Sequence, residues 1–220
     1  MTTTTKVPHE SVKDRKVGMT PTTTVPHESV KDKIVRVIAG TGDIANALVD
    51  MVSSVVRTLV RDTGKTGVSL IEAIKEVIGA TIHGVVTTGK NLEEGVKALV
   101  IGTLKGLKST GAETFSAIST LAGSIIKTTT DTGADVVSAT KGLLRGVGQS
   151  AKEIGLDATE AVSEAATGAV KAAYEISEAV GNKVRKAATG TIGGIKVIVK
   201  EPFSGKEGKQ DPREVSLKKK

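Results

Sequence analysis

Glycine recurs with a 22-residue period through the middle of this 220-residue chain, in surroundings that otherwise favour helix. The series comprises Gly67, Gly89, Gly111, Gly133 and Gly155, and a threonine precedes each of the first four. A second column of small residues and several columns of Val, Ile and Leu share the same spacing. Seven tandem 22-residue units fit between Thr41 and Gly194, so the repeat dominates what this chain can fold into.

Each 22-residue unit is two 11-residue units, and 11 residues make three helical turns at about 3.67 residues per turn. The apolar columns therefore fall in one stripe of a helix, roughly 130° wide, with charged residues on the other side. The pattern predicts an all-α fold: a long amphipathic helix or a helical bundle of about seven tandem 22-residue repeats, with disordered tails. The predicted lipid- or helix-contact face comprises Val52, Val55, Ile74, Val77, Ile82, Val96, Leu99, Leu104, Ile118, Leu121, Ile126 and Leu143.

The repeated glycines have two candidate roles. They let another helix backbone approach closely, or they end each helix, with Thr-Gly as a stop and restart. In either case each glycine costs a helix about 1 kcal/mol relative to alanine. An isolated helix is then marginal in water and needs a partner surface to order it. The segments "GTLKG" and "GLLRG" add the small-xxx-small spacing of closely packed helices, with a charge that favours a soluble or interfacial setting.

The chain divides into three predicted segments. Residues 1–40 are a flexible tail in which "VPHESVKD" occurs twice, at Val7–Asp14 and Val25–Asp32. This duplication is either a twice-presented motif for a partner or a recent copy within a disordered tail. Residues 41–194 hold the helical repeats. Residues 195–220 begin with "IKVIVKEPFS", a short strand or the apolar end of the last helix, and continue as a basic disordered tail.

The net charge of +7 belongs to the two ends of the chain. Residues 41–194 carry 16 Lys/Arg and 16 Asp/Glu, whereas residues 1–40 contribute +3 and residues 195–220 contribute +4. The repeat region thus has no net charge. This balance argues against nucleic acid as a specific partner and against attraction to anionic headgroups as the main force.

The residue types in the sequence give little indication of a catalytic or metal-binding site. The absence of cysteine excludes disulfides and thiolate sites, and the three histidines, His9, His27 and His83, do not form a metal-ligand pattern. No phosphate-binding loop and no pair of carboxylates suited to acid–base catalysis is present. We therefore predict no enzymatic activity, catalytic residue, cofactor or metal. No apolar run approaches the roughly 20 residues that span a bilayer, so we predict no transmembrane segment. We expect a cytoplasmic protein, and any association with a membrane or storage granule is expected to be peripheral.

Units such as "EEGVKALVIGTLKG" and "TGADVVSATKGLLRGVG" resemble the 11-residue repeats of synucleins, perilipins and apolipoproteins, over roughly residues 41–194. The resemblance lies in the period, the small residues and the scarcity of aromatics, and the chain lacks a faithful "KTKEGV" core. Its broad composition is also similar to that of phasins, which coat polyester storage granules. These families imply a long amphipathic helix that binds a lipid or granule surface and, in several cases, becomes ordered on binding.

Three functional hypotheses follow. The first is a coat on a lipid, membrane or storage-granule surface, with its strongest anchors at Val96, Leu99, Leu104, Ile118, Leu121 and Ile126. The second is a structural coiled coil or bundle that self-assembles through the same apolar face. The third is a stress protectant resembling late-embryogenesis-abundant proteins, although such chains are generally more polar than this one, whose mean hydropathy is −0.00.

Overall fold

A computed structural model describes residues 30–40, 44–63, 68–109 and 114–200 of the chain. Within these ranges the chain is mostly helical. The helices are α1 (Val30–Gly40), α2 (Ile44–Thr63), α3 (Val68–Thr87), α4 (Leu92–Ser109), α5 (Thr114–Asp131), α6 (Val136–Ile154), α7 (Ala158–Ile176) and α8 (Glu178–Ala188). The strands are β1 (Gly190–Ile192) and β2 (Ile195–Val197). The predicted all-α class is confirmed, with a short hairpin added after the last helix.

The helices are 11 to 20 residues long and are separate, so the described chain is not one continuous helix. Three of the turns between them have the same C-terminal cap, with a glycine at a positive φ: Gly89 at 65°, Gly133 at 68° and Gly155 at 76°. The residue after each glycine donates its N–H to a carbonyl five residues earlier, for example Leu156 to Ala151 at 2.9 Å. This Schellman geometry stops the helix, since residues other than glycine rarely adopt such a φ.

Side-chain caps restart the last three helices. Asp135 accepts hydrogen bonds from the backbone N–H groups of Val137 and Ser138, both at 3.1 Å, ahead of α6. Asp157 accepts from Glu160 N–H at 2.7 Å ahead of α7, and Ser177 caps α8 in the same manner. The N-terminal amides of a helix lack intrahelical partners, so these side chains fix where each helix begins. The resulting turns are only a few residues long, which makes consecutive helices reverse direction.

Helices two apart in the sequence lie side by side. Contacts join α1 to α3, α2 to α4, α3 to α5, α4 to α6, α5 to α7 and α6 to α8, and each helix also touches the next one in sequence. This pattern produces two layers, here called the odd layer (α1, α3, α5, α7) and the even layer (α2, α4, α6, α8). The hydrophobic core lies between the layers and continues between neighbours within each layer.

The hairpin closes the C-terminal end of the described stack. β1 and β2 pair antiparallel around Gly193 and Gly194, whose φ values of 58° and 81° suit a two-residue type I′ turn. β2 packs on α7, and beyond it the N–H of Ile198 donates to Ser163 Oγ at 3.2 Å. The extended segment is therefore held along the helix, so the apolar run starting at Ile195 forms a strand instead of extending the last helix.

Candidate functional site: the contacts between helices

The predicted contact face lies inside the protein. Eleven of its twelve residues have exposed fractions of 0% to 8%, and Val55 is half-buried against the same core. The six residues predicted as the strongest anchors, from Val96 to Ile126, are no more than 3% exposed. They contact neighbouring helices of the same chain, so in this conformation none of them is free to touch an external surface.

The two glycine columns occupy different places. Gly89, Gly133 and Gly155 lie at helix ends, as described above, while Gly67 and Gly111 are outside the described residues. The second column includes Gly102, Gly146 and Gly168, which lie inside helices and are buried. Both candidate roles of the small residues are therefore represented in the structure. Gly89, Gly133 and Gly155 lie at helix ends, and Gly102, Gly146 and Gly168 lie at close contacts between helices.

Glycines of the second column permit backbone-to-backbone contact within a layer. A methyl group built on Gly146 of α6 would lie 2.9 Å from the carbonyl oxygen of Lys97 in α4. The same construction at Gly168 of α7 places it 2.6 Å from the carbonyl oxygen of Ser119 in α5. Real Cβ atoms do not approach an oxygen so closely, so only glycine fits here. The geometry is typical of weak Cα–H···O contacts between closely packed helices.

A second glycine one turn away extends two of these contacts. Gly106 follows Gly102 on α4 and lies over Val56 of α2, whereas Gly142 precedes Gly146 on α6 and lies over the Glu93 carbonyl. These pairs are the "GTLKG" and "GLLRG" segments, so the small-xxx-small spacing did indicate close packing. The spacing indicated close packing but not the partner helix, which the structure identifies as α2 for Gly106 and α4 for Gly142.

Ion pairs cross the same within-layer contacts at the surface. Lys105 of α4 bonds Glu153 of α6 at 2.7 Å, and Lys127 of α5 bonds Glu175 of α7 at 2.8 Å. Both partners of the second pair lie 22 residues after those of the first. The hydrogen bond from Lys105 lowers the pKa of Glu153, and that from Lys127 lowers the pKa of Glu175. A third cross-helix pair joins Arg145 to Glu93 between α6 and α4.

A groove of about 460 Å³ opens on the even layer beside the hairpin. Its floor includes Leu144, Ile192 and Ile195, and its rim carries four charged side chains. These are Lys97, Arg145, Lys152 and Glu153. The groove contains neither a histidine nor a cysteine. The groove therefore combines apolar side chains with charged ones.

The described residues contain few other polar groups of interest. His83 is exposed on α3, and His9 and His27 lie outside the described part, as does most of the duplicated motif. Within the described ranges there is no cluster of three or more His, Cys, Asp or Glu side chains that could hold a metal ion. Ser150 is fully buried, and its hydroxyl has no hydrogen-bond partner.

None of the helices in the described ranges is long and apolar enough to cross a bilayer.

No protein-family model matches the chain, and no curated protein or solved structure is significantly similar to it. Its function must therefore be argued from its own geometry.

Proposed function

We propose that the chain is a non-enzymatic structural protein, a folded stack of helices in which each 22-residue unit supplies one helix and one turn. The helix starts support this proposal: Leu92, Thr114, Val136 and Ala158 begin α4 to α7, each one 22-residue unit after the last. The ion pairs, which recur one unit later in both partners, support it as well. In a protein built from stacked tandem units, each unit makes the same contacts with its neighbours. The recurrence of contacts between helices, in addition to the recurrence of residue types, is therefore expected for such a stack.

The observation that carries this proposal is the burial of the predicted contact face. An apolar side chain removed from water contributes about 25 cal/mol per Å² to folding. A surface coat made from the same columns would have to take them out of the core, because one side chain cannot contact both its neighbours and a lipid. An extended surface coat would therefore require the helices to separate. Its contacts with lipid would have to offset the free energy lost when this core is exposed.

Circular dichroism tests the proposal most directly. The dilute protein is expected to be strongly helical in buffer, to melt cooperatively, and to keep its spectrum when small neutral vesicles or a triglyceride emulsion are added. Coil in buffer that becomes helical with lipid would refute the folded stack and return the surface coat to first place. The predicted cytoplasmic location and peripheral attachment are not addressed by this measurement and remain predictions.

A pair of substitutions separates the two hypotheses at the level of residues. Leu99 is 0% exposed in α4, so Leu99→Ser should lower the free energy of unfolding by about 2–5 kcal/mol, without any lipid present. Val86, on α3, is 44% exposed, and Val86→Ser should leave thermal unfolding nearly unchanged. If Leu99→Ser melts like the unsubstituted protein and loses only vesicle binding, Leu99 belongs to a lipid-contact face and the proposal is wrong.

A further inference from the structure

The two layers differ in charge, although the repeat region as a whole is neutral. The four helices of the even layer contain eleven Lys/Arg and six Asp/Glu, a net charge of +5. The odd-layer helices that lie within residues 41–194, α3, α5 and α7, contain three Lys/Arg and six Asp/Glu, a net charge of −3. The residues between the helices carry the remaining −2 of the neutral repeat region, and α1, which precedes that region, adds +2 to the odd layer. Because successive helices alternate between the layers, the fold sorts charges that are mixed along the sequence. One face of the protein is cationic.

The positive charges of α6 lie on one side of that helix. Lys141, Arg145 and Lys152 are spaced by four and seven residues, which places them in one stripe at about 100° per residue. All three are exposed. Since the opposite side of α6 is buried against α4, α7 and α8, this stripe faces solvent on the outside of the even layer.

Three of the six carboxylates in the even-layer helices form ion pairs with neighbouring cations. Glu153 bonds Lys105 and Glu93 bonds Arg145, and both pairs bridge α4 and α6. Glu94 lies 3.6 Å from Lys97. Lys152 forms no ion pair with any described acidic side chain. Lys141 also forms no ion pair with a described acidic side chain, so these two lysines are the unneutralised cations of the α6 stripe. Lys152 lies at the groove beside the apolar side chains of Leu144, Ile192 and Ile195.

We propose that the outer face of the even layer docks the folded protein on an anionic lipid surface, with the groove between α6 and the hairpin receiving a headgroup and the start of its acyl chain. This goes beyond the proposed structural role and uses a different face from the buried apolar columns. Each basic residue near an anionic membrane raises affinity roughly fivefold, so a handful of exposed lysines is enough for reversible binding.

The same face is a poorer match for nucleic acid. The even-layer helices contain no aromatic side chain on which a base could stack. They also carry six carboxylates, which would approach phosphates wherever a duplex followed the surface. An apolar groove floor has no counterpart on a sugar–phosphate backbone, whereas a phospholipid presents an anionic head directly above an apolar chain.

Vesicle flotation with the full-length protein tests this inference. The unsubstituted protein should float with vesicles of phosphatidylcholine containing a minority of phosphatidylglycerol, should not float with phosphatidylcholine alone, and should be released by added salt. Lys141→Glu combined with Lys152→Glu should weaken binding by about tenfold or more, because two attractions become repulsions. The matched control combines Lys33→Glu with Lys171→Glu, two exposed residues of the odd layer, and should bind almost as before because the even-layer face keeps its charge.

Several outcomes would overturn the inference. Equal loss of binding in both double variants would mean that net charge matters and the face does not. Equal flotation with neutral and anionic vesicles would remove the role of charge. Tighter binding to duplex DNA at the same salt concentration, lost in the even-layer variant, would identify nucleic acid as the partner in place of lipid.

Circular dichroism of the same samples keeps this test separate from that of the proposed function. A chain that is coil without lipid contradicts the folded stack, whereas a helical chain that ignores anionic vesicles contradicts only the lipid-docking face. If Lys141→Glu with Lys152→Glu loses helicity, Lys183→Glu with Lys186→Glu on α8 provides the same charge reversal at another exposed site of the even layer. Unchanged binding by that folded variant would likewise count against the inference.

Discussion

Replacing Gly168 by alanine is the sharpest test of the packing between alternate helices. Gly168 lies in the middle of α7 and is buried against α5. The new Cβ would lie 2.6 Å from both the carbonyl oxygen and the hydroxyl of Ser119, and 2.9 Å from its Cα. The hydroxyl can rotate away, but the carbonyl oxygen and Cα belong to the backbone of α5. The two helices must therefore separate by several tenths of an ångström to accept one methyl group.

The magnitude follows from two opposing terms. Alanine is favoured over glycine in a helix by about 1 kcal/mol, whatever its neighbours. Overpacking a well-filled contact costs roughly 1–3 kcal/mol, and losing the Cα–H···O contact adds about 0.5–1 kcal/mol. The net expectation is a loss of roughly 0.5–3 kcal/mol in the free energy of unfolding. For a chain of this size that corresponds to a fall of about 1–12 °C in melting temperature.

Gly79→Ala in α3 is the matched control, because a methyl group there meets nothing within 4 Å. It gains the helix preference without the steric cost, so its melting temperature should rise by about 2–4 °C. Thermal unfolding followed by far-ultraviolet circular dichroism, with denaturant melts for the free energy, compares the two variants. If Gly168→Ala is stabilised as much as Gly79→Ala, α7 does not approach α5 closely and the layered packing is wrong.

Three further predictions concern caps, a buried hydroxyl and acid sensitivity. Gly133→Ala should lower the free energy of unfolding by about 1–2 kcal/mol in denaturant melts, because its φ of 68° strains any residue with a Cβ. Ser150→Ala should raise that free energy by about 1 kcal/mol, since the buried hydroxyl lacks a partner, whereas Ser163→Ala should lower it because Ile198 N–H loses its acceptor. The pKa values of Glu153 and Glu175 are lower in the folded protein than the value of 4.5 for an unfolded glutamate. Their ion pairs therefore stabilise the fold fully above pH 4.5, and this stabilisation is lost as the pH falls through the folded pKa values. The melting temperature should therefore fall more steeply below about pH 4.5 in the unsubstituted protein than in Glu153→Gln/Glu175→Gln.

The sequence pattern was sufficient for the helical class and for which side chains share a face. A 22-residue period fixes the angle of each apolar residue about its own helix axis, and Leu99, Leu121 and Leu143 accordingly occupy equivalent buried places. The same period contains no information on what that face meets. The pattern is equally compatible with contact to lipid, to another chain or to the helix two places along the sequence. Only the folded structure shows which of these the apolar face contacts.

The glycines show why the turns were harder to predict than the stripe. Gly133 and Gly146 recur with the same period and both lie among helix-forming residues. Gly133 ends a helix because the chain reverses there, whereas Gly146 lies inside a helix and contacts the neighbouring helix α4. The hairpin had a clearer indication in Gly193-Gly194 between two short apolar stretches, which is typical of a type I′ turn. The second strand was one of the two alternatives predicted for the run starting at Ile195. Its partner β1 was missed because the repeat was continued as helix through Gly194.

Alternation between layers also explains why the charge pattern could not be recognised along the chain. Sequence neighbours such as α6 and α7 belong to opposite layers, so a window that covers both averages a cationic helix with an acidic one. Residues that share a surface are instead about two helices apart, as in the pairing of Lys105 with Glu153. Summing charge over consecutive units gives zero, whereas summing over every second helix gives two faces of different charge. A helical chain that alternates between layers can therefore be neutral in sequence and still present one cationic surface, with its apolar columns fully occupied inside.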